Sequence, residues 1–291
     1  MALTLYLLNK KGYKVLTALT KTNKYLSNID LVVGARDKGN EEDYFDEIRV
    51  LCNNYNIKYI ERGQNLTIQS EHSLAIGWRW LIKDQKNLIV LHDSFLPKYR
   101  GFSPTVNMLI NGETYIGASA IWANDKMDEG DIIFQKKVNI TYPLKIQKAI
   151  ELIANLYVDI VLYIMNAILE KNILPSLPQM KNDATYSIWR NEDDYYIDWA
   201  KEAAEIVRFV DAVGYPYGGA KSKTEDGEII RIRECEVVHD IISEIPAPGK
   251  LLMYDEEYPI ILCGKKAVKL LVIEDLNNNP FVFKKFRTQL K

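Results

Sequence analysis

The chain reads as an α/β protein: a Rossmann-like, mostly parallel sheet with helices on both faces, followed by a small C-terminal β-rich, OB-like domain. Three observations predict this. Short continuous apolar runs alternate with amphipathic stretches along the first half of the sequence, a proline-marked linker at Pro175 and Pro178 interrupts the pattern, and five short strand-like runs follow it. The expected division is residues 1–180 for a catalytic domain and 181–291 for the linker and β-rich domain.

The elements follow in order. Leu3 to Leu8 is an apolar run that passes through Lys-Lys-Gly into a helical pattern at Val15, Leu16 and Leu19, so it reads strand, turn, helix. Leu31 to Gly34 is a second buried strand, and Asp43 to Tyr55 a second helix with Phe45, Ile48, Leu51 and Tyr55 among its apolar positions. Ile57–Ile60, Leu74–Ile76 and Leu88–Leu91 are further strands, which places His92 at a strand end, on the sheet edge where ligands of such folds sit. Tyr115–Ala123 and Asp131–Ile140 flank a turn from Asn124 to Gly130, so Asp128 falls in a loop. A long helix runs from about Leu144 to Leu169, with Pro143 expected in its first turn and Ile146, Ile150, Ile153, Leu156, Tyr157 and Ile160 as an apolar stripe. Beyond the linker come a helix, Ala200 to Val213, and strands at 228–232, 236–238, 250–253, 260–263 and 268–272.

Composition narrows the function. A net charge of −2 and a pI near 6.0 give no general attraction to nucleic acid, which needs concentrated basic surface. Three scattered cysteines, Cys52, Cys235 and Cys263, form no metal-spaced set and read as buried thiols in a reducing compartment. No metal site is expected. The N-terminus lacks a basic signal region, and no run reaches the roughly 18 apolar residues of a membrane span. The expectation is a cytosolic protein with no membrane partner.

The informative stretch is His92-Asp-Ser-Phe-Leu-Pro-Lys-Tyr-Arg-Gly101, followed 36 residues after His92 by Asp128-Glu-Gly-Asp-Ile-Ile. With Gly112-Glu113 and Ile116-Gly-Ala-Ser119 between them, and 186–220 resembling the start of a C-terminal module, these motifs resemble the folate-dependent formyltransferases. The resemblance implies N10-formyltetrahydrofolate as formyl donor and an amine as acceptor. On it, His92 is the acid/base, Asp128 orients and charges the ring, and Ser94 bonds near the loop unless it is a simple turn serine. Trp78, Arg79, Leu91 and Gly130 are the implied folate-site residues, Gly130 also giving the turn after Asp128 its backbone freedom. Arg100 is expected to pair with an acidic neighbour rather than contact substrate, and Asp93 and Asp131 are read as exposed or capping carboxylates, with a catalytic part as the alternative.

One position departs from the pattern. Where the family has Asn two residues before the histidine, this chain has Val90, which cannot donate a hydrogen bond to the formyl oxygen. One lost donor of that kind costs about 3 kcal/mol of transition-state stabilisation. Asn124 is the candidate replacement, against its reading as a turn asparagine. A nicotinamide cofactor is disfavoured, since Lys10-Lys-Gly12 supplies a single glycine after the first strand.

The aromatic run Trp189 to Trp199 and Gly214-Tyr-Pro-Tyr-Gly-Gly219 is most similar to that of sugar-nucleotide N-formyltransferases, where Trp189, Trp199, Tyr215 and Tyr217 either pack a base or hexose or fasten the linker. The implied partner is a nucleotide-linked amino sugar, of the kind built into lipopolysaccharide O-antigen, with a homodimer left open. Methionyl-tRNA formyltransferase and a catalytically degraded folate- or nucleotide-binding protein are the alternatives.

Overall fold

The computed structural model describes residues 2–64, 68–82 and 87–291. They form two compact units: 1–105, 115–139 and 148–188 in the first, 106–114, 140–147 and 189–291 in the second.

The first unit is built on β1 (Leu3–Leu7), α1 (Asn9–Thr20), the single turn α2 (Asn23–Leu26), β2 (Ile29–Gly34), α3 (Phe45–Asn54), β3 (Tyr59–Glu61), β4 (His72–Ile76) and β5 (Leu88–His92). Then follow β6 (Arg100–Gly101), α4 (Pro104–Ile110), which from residue 106 on belongs to the second unit, β7 (Tyr115–Trp122), β8 (Ile132–Asn139), α5 (Ile146–Leu169) and β9 (Tyr186–Ser187). The seven-stranded sheet has the order β3-β2-β1-β4-β5-β7-β8. Its first five strands are parallel, and β7 runs against both β5 and β8. The central β1 is buried at every position, as its unbroken apolar run requires when helices cover both faces. One face gathers Tyr6, Leu31, Val33, Ala75 and Leu88, with Ile60, Trp78 and Val90 packed against them.

Three local expectations change. Helix α3 starts at Phe45, not Asp43, because the Asp43 carboxylate accepts the Phe45 backbone N–H and so stays outside the helix. Pro143 precedes α5 and is not in its first turn. The first unit extends to Ile188, past the expected boundary at 180, because β9 pairs in parallel with β6. The 24 residues of α5 also include an 18-residue window long and apolar enough to cross a membrane, contrary to the expectation that no such run exists. Half of that window is buried, with Ile153, Tyr157, Ile160 and Ile164 at helical spacing, the pattern of a core helix.

The second unit carries α6 (Ala203–Val213), β10 (Ala220–Lys223), β11 (Ile229–Val238), β12 (Leu251–Asp255), β13 (Tyr258–Leu262) and β14 (Ala267–Glu274). Its open antiparallel sheet has the order β10-β11-β14-β13-β12. The runs expected at 228–232 and 236–238 are one strand, β11, whose register against β14 shifts between Ile232 and Cys235. A bulge breaks the alternation there and hides the continuity. Helix α6 begins three residues later than expected, with Glu202 and Glu205 closing a reciprocal cap at its start. Segments 106–114 and 140–147 belong to this unit through the Tyr142 hydroxyl, which donates to Glu113 O at 3.0 Å, and Arg208 Nε, which donates to Ile110 O at 3.3 Å.

Candidate active site

His92 closes β5, where parallel β4 and antiparallel β7 flank it, and the residue is 7% exposed. The chain beyond it is folded back by buried hydroxyls. Ser119 Oγ, opposite His92 on β7, donates to Ser94 O at 2.6 Å and accepts from Leu96 N at 3.1 Å. Gln135 Nε2 of β8 reaches both Ser119 Oγ at 2.7 Å and Leu96 O at 2.9 Å. Ser94 Oγ donates to Lys98 O at 2.6 Å, so this serine shapes the loop. The loop thereby returns the Tyr99 carbonyl to 2.8 Å from His92 Nε2.

On the other side of the ring, Asp128 Oδ2 lies 3.6 Å from His92 Nδ1 and accepts the Gly101 N–H at 2.8 Å. Asp128 itself adopts a left-handed backbone, φ 52°. Gly130 has no positive φ, and its smallness serves a different need. A Cβ there would stand 1.6 Å from Trp122 O, so only glycine lets the loop pass strand β7. Gln179 holds this loop, with Nε2 donating to Asp128 O at 2.8 Å and Gly130 O at 2.7 Å. Its Oε1 accepts from Arg100 Nε and Nη2 at 3.1 and 2.8 Å, while Arg100 Nη1 pairs with Glu129 at 3.3 Å. Arg100, 2% exposed, therefore ties the loop after His92 to the Asp128 loop, and it pairs with the acidic neighbour expected for it. Gln179 went unnoticed in the sequence because it sits in a proline-flanked linker with no motif around it.

Both ring nitrogens of His92 thus face acceptors. An imidazole with a proton on each nitrogen donates to Tyr99 O and meets the Asp128 charge, the electrostatics expected of a group that hands protons to a reacting centre.

Asp93 is engaged by two side chains. It makes an ion pair with Lys11 of α1 and accepts a hydrogen bond from the Tyr157 hydroxyl of α5. Burial alone would raise its carboxyl, but Lys11 and Tyr157 outweigh burial and hold it below the usual range. Burial, reinforced by the Asp93 charge, pushes the Tyr157 hydroxyl well above its ordinary value, so it remains a neutral donor. Tyr157 is a member of the apolar stripe of α5, and its sequence context carries no sign of the polar task.

The remaining candidates are placed as follows. Trp78 packs edge-on against Tyr6 at 5.2 Å and Trp80 at 5.1 Å, and its buried Nε1 has no hydrogen-bond partner among the described residues. Arg79 is 48% exposed at its side chain and pairs with the buried Asp37 at 2.8 Å. Leu91 is buried, and its carbonyl accepts the Tyr157 hydroxyl at 2.9 Å. Asn124 is exposed and its Oδ1 accepts the Lys126 N–H at 2.9 Å, which is an Asx turn. Val90 lies on the same face of β5 as His92, inside the apolar cluster with Ala75 and Leu88. In the second unit Trp199 is core, its Nε1 donating to Ser222 Oγ at 2.9 Å, whereas Trp189 and Tyr215 are exposed.

Comparison with known proteins agrees with this geometry. The sequence model described as formyl transferase matches residues 52–155, and that of the formyl transferase C-terminal domain matches 190–289. A methionyl-tRNA formyltransferase of Caldanaerobacter subterraneus is 28% identical over 186 residues, 64% of this chain and 58% of that protein. The chain thus spans less than two thirds of that relative's length. A methionyl-tRNA formyltransferase of Halothermothrix orenii is 26% identical over 95% of this chain and 84% of its own. Among solved structures, the sugar 3N-formyl transferase WlaRD, determined with dTDP and 5-N-formyl-THF, superposes with a TM-score of 0.70 at 18% identity, covering 93% of this chain and 97% of that one. The N-formyltransferase of Helicobacter canadensis, in complex with folinic acid and dTDP-3-aminofucose, gives 0.68 at 16% identity over 93% and 99%. At such identities the structural likeness establishes the fold.

Proposed function

The chain belongs to the formyl transferase family, and from that premise we propose that it moves a formyl group from N10-formyltetrahydrofolate to the amine of a nucleotide-linked amino sugar. The observation that carries the chemistry is His92 held between the Tyr99 carbonyl and the Asp128 carboxylate. In the reaction the amine nitrogen bonds to the formyl carbon, the bond from that carbon to N10 breaks, and the proton lost by the amine ends on N10. His92 carries that proton, and Asp128 balances the charge on the ring while it does so. Trp78, Arg79, Leu91 and Gly130 border the folate in this reading, which their position near the carboxyl ends of β4 and β5 and beside the Asp128 loop supports.

The acceptor class rests on charge. Residues 189–291, which include the segment 190–289 matched by the C-terminal model, contain 15 Lys and Arg against 19 Asp and Glu. A surface that lies along tRNA phosphates needs the opposite balance, because each phosphate contact is made by a cation. A small amine attached to a nucleotide makes no such demand. The curated relatives that act on methionyl-tRNA keep a second reading in play. Steady-state assays with thymidine, uridine and guanosine diphosphate amino sugars, run beside charged initiator tRNA, decide between them. Turnover of a nucleotide sugar is expected, and efficient formylation of the tRNA would overturn the acceptor assignment. If both ligands bind and nothing is formylated, Val90 marks a binding protein.

A further inference from the structure

The two residues on either side of His92 are held by a single hydroxyl. Tyr157 Oη lies 2.9 Å from Leu91 O and also hydrogen-bonds Asp93 Oδ1. Tyr157 is 1% exposed, and Asp93 is paired in turn with Lys11, whose ammonium stands 5.7 Å from the centre of the Tyr157 ring. The side chains of Lys11 and Asp93 keep only 13% and 18% of their exposure. Three polar groups, from α1, from the residue that follows β5 and from α5, therefore meet beneath the strand end, and none of them has a part in the proton transfer assigned above.

Burying such a set is a poor route to stability, since a well-packed apolar trio of similar volume is often as stable or more so. The value of the arrangement lies in where it acts. The single hydroxyl proton is shared between its two acceptors in a bifurcated hydrogen bond, and the ammonium keeps the Asp93 carboxylate charged, so both ends of the Leu91–Asp93 segment are drawn to one point. The middle residue of that segment carries the imidazole. The low-lying Asp93 carboxyl and the neutral Tyr157 hydroxyl agree with this arrangement.

We propose that Lys11, Asp93 and Tyr157 form a clamp that positions His92, acting through the backbone of β5 and not on the substrate. The clamp rests on the assignment of His92 as the proton carrier. Displacement of a reacting group by about 1 Å can cost on the order of 100-fold in rate, so loss of the clamp is read in kcat.

The test uses the full chain with Tyr157→Phe, Lys11→Met and Lys11→Arg, assayed at a temperature well below each variant's Tm. Tyr157→Phe and Lys11→Met are expected to lower kcat by about 10- to 100-fold with the KM of both substrates within about twofold of wild type. Lys11→Arg, which keeps the charge, should retain most of the rate, and the Tyr157→Phe, Lys11→Met double variant should be little slower than either single one. A fall in Tm with kcat unchanged would make the set structural only and overturn the clamp. So would a rise in KM at constant kcat, or equal losses for Lys11→Met and Lys11→Arg. The Lys11 pair decides the matter even if Tyr157→Phe does not fold. His92→Asn separates the two claims: if it is inactive while Tyr157→Phe and Lys11→Met are normal, the clamp alone fails, and if it is fully active, the functional reading fails with it.

Discussion

At the scale of single residues, the proposed function has His92 and Asp128, 3.6 Å apart, act as one unit. His92→Asn and Asp128→Asn should each lower kcat by several orders of magnitude, and the double variant should be little worse than either, because a carboxylate that serves only through the ring has nothing left to do once the ring is gone. Additive losses in log kcat would separate their roles. Asn124 tests the second residue-scale question. Its Oδ1 closes an Asx turn on Lys126 N, so Asn124→Asp, which keeps that acceptor and loses the amide donor, should leave kcat within about twofold of wild type. A loss of about 100-fold would identify the amide as the oxyanion donor that Val90 lacks. His92 and Asp128 were legible because they stand in spaced motifs. Lys11, Tyr157 and Gln179 were not, because a polar atom at the end of an otherwise apolar or linker-bound residue gains its role only when a distant segment arrives beside it.

At the scale of elements, α1 and α5 are joined by Glu151, which pairs with Lys10 at 2.8 Å and also with Lys14. Hydrogen bonds from those two lysines hold its carboxyl down to about 2. Its folded value lies below its unfolded one, so its contribution is complete above about 4.5 and disappears as pH falls towards 2. Glu151→Gln should therefore lower Tm at pH 7 and converge with wild type in acid melts. A constant gap at all pH values would refute the linkage. In α6 the sign reverses. Burial raises the Asp211 carboxyl to about 6, so the folded state prefers it protonated and loses stability as pH rises from about 4 through 6. Asp211→Asn should stabilise the protein at pH 7 to 8, by an upper bound on the order of 3 kcal/mol, and have little effect near pH 4. Boundaries were less legible than elements. The β11 bulge split one strand into two, and the short, polar β10, Ala-Lys-Ser-Lys, was missed, so the expected number of C-terminal strands was right for two compensating reasons. Short edge strands carry little periodicity to read.

At the scale of the whole molecule, the alternation of apolar runs and amphipathic helices is enough to give the parallel sheet, and it alone puts His92 at the carboxyl end of β5. The reversal of β7 was not foreseeable from its composition, since a buried strand reads alike in either direction. That reversal is what sets Ser119 opposite His92 and turns the chain into the Asp128 loop. The charge balance of residues 189–291 is the property on which the proposed acceptor class rests. With a nucleotide sugar, kcat/KM should fall only mildly between about 50 and 200 mM salt, whereas a protein that grips many phosphates of a polyanion loses on the order of 1000-fold in affinity over that range. The most direct measurement is mass-spectrometric detection of product when wild type and His92→Asn are each incubated with N10-formyltetrahydrofolate and a nucleotide-linked amino sugar. The account predicts a formylated sugar nucleotide from wild type and almost none from the variant. Equal product from both, or none from wild type with any nucleotide sugar while charged tRNA is formylated, would contradict it.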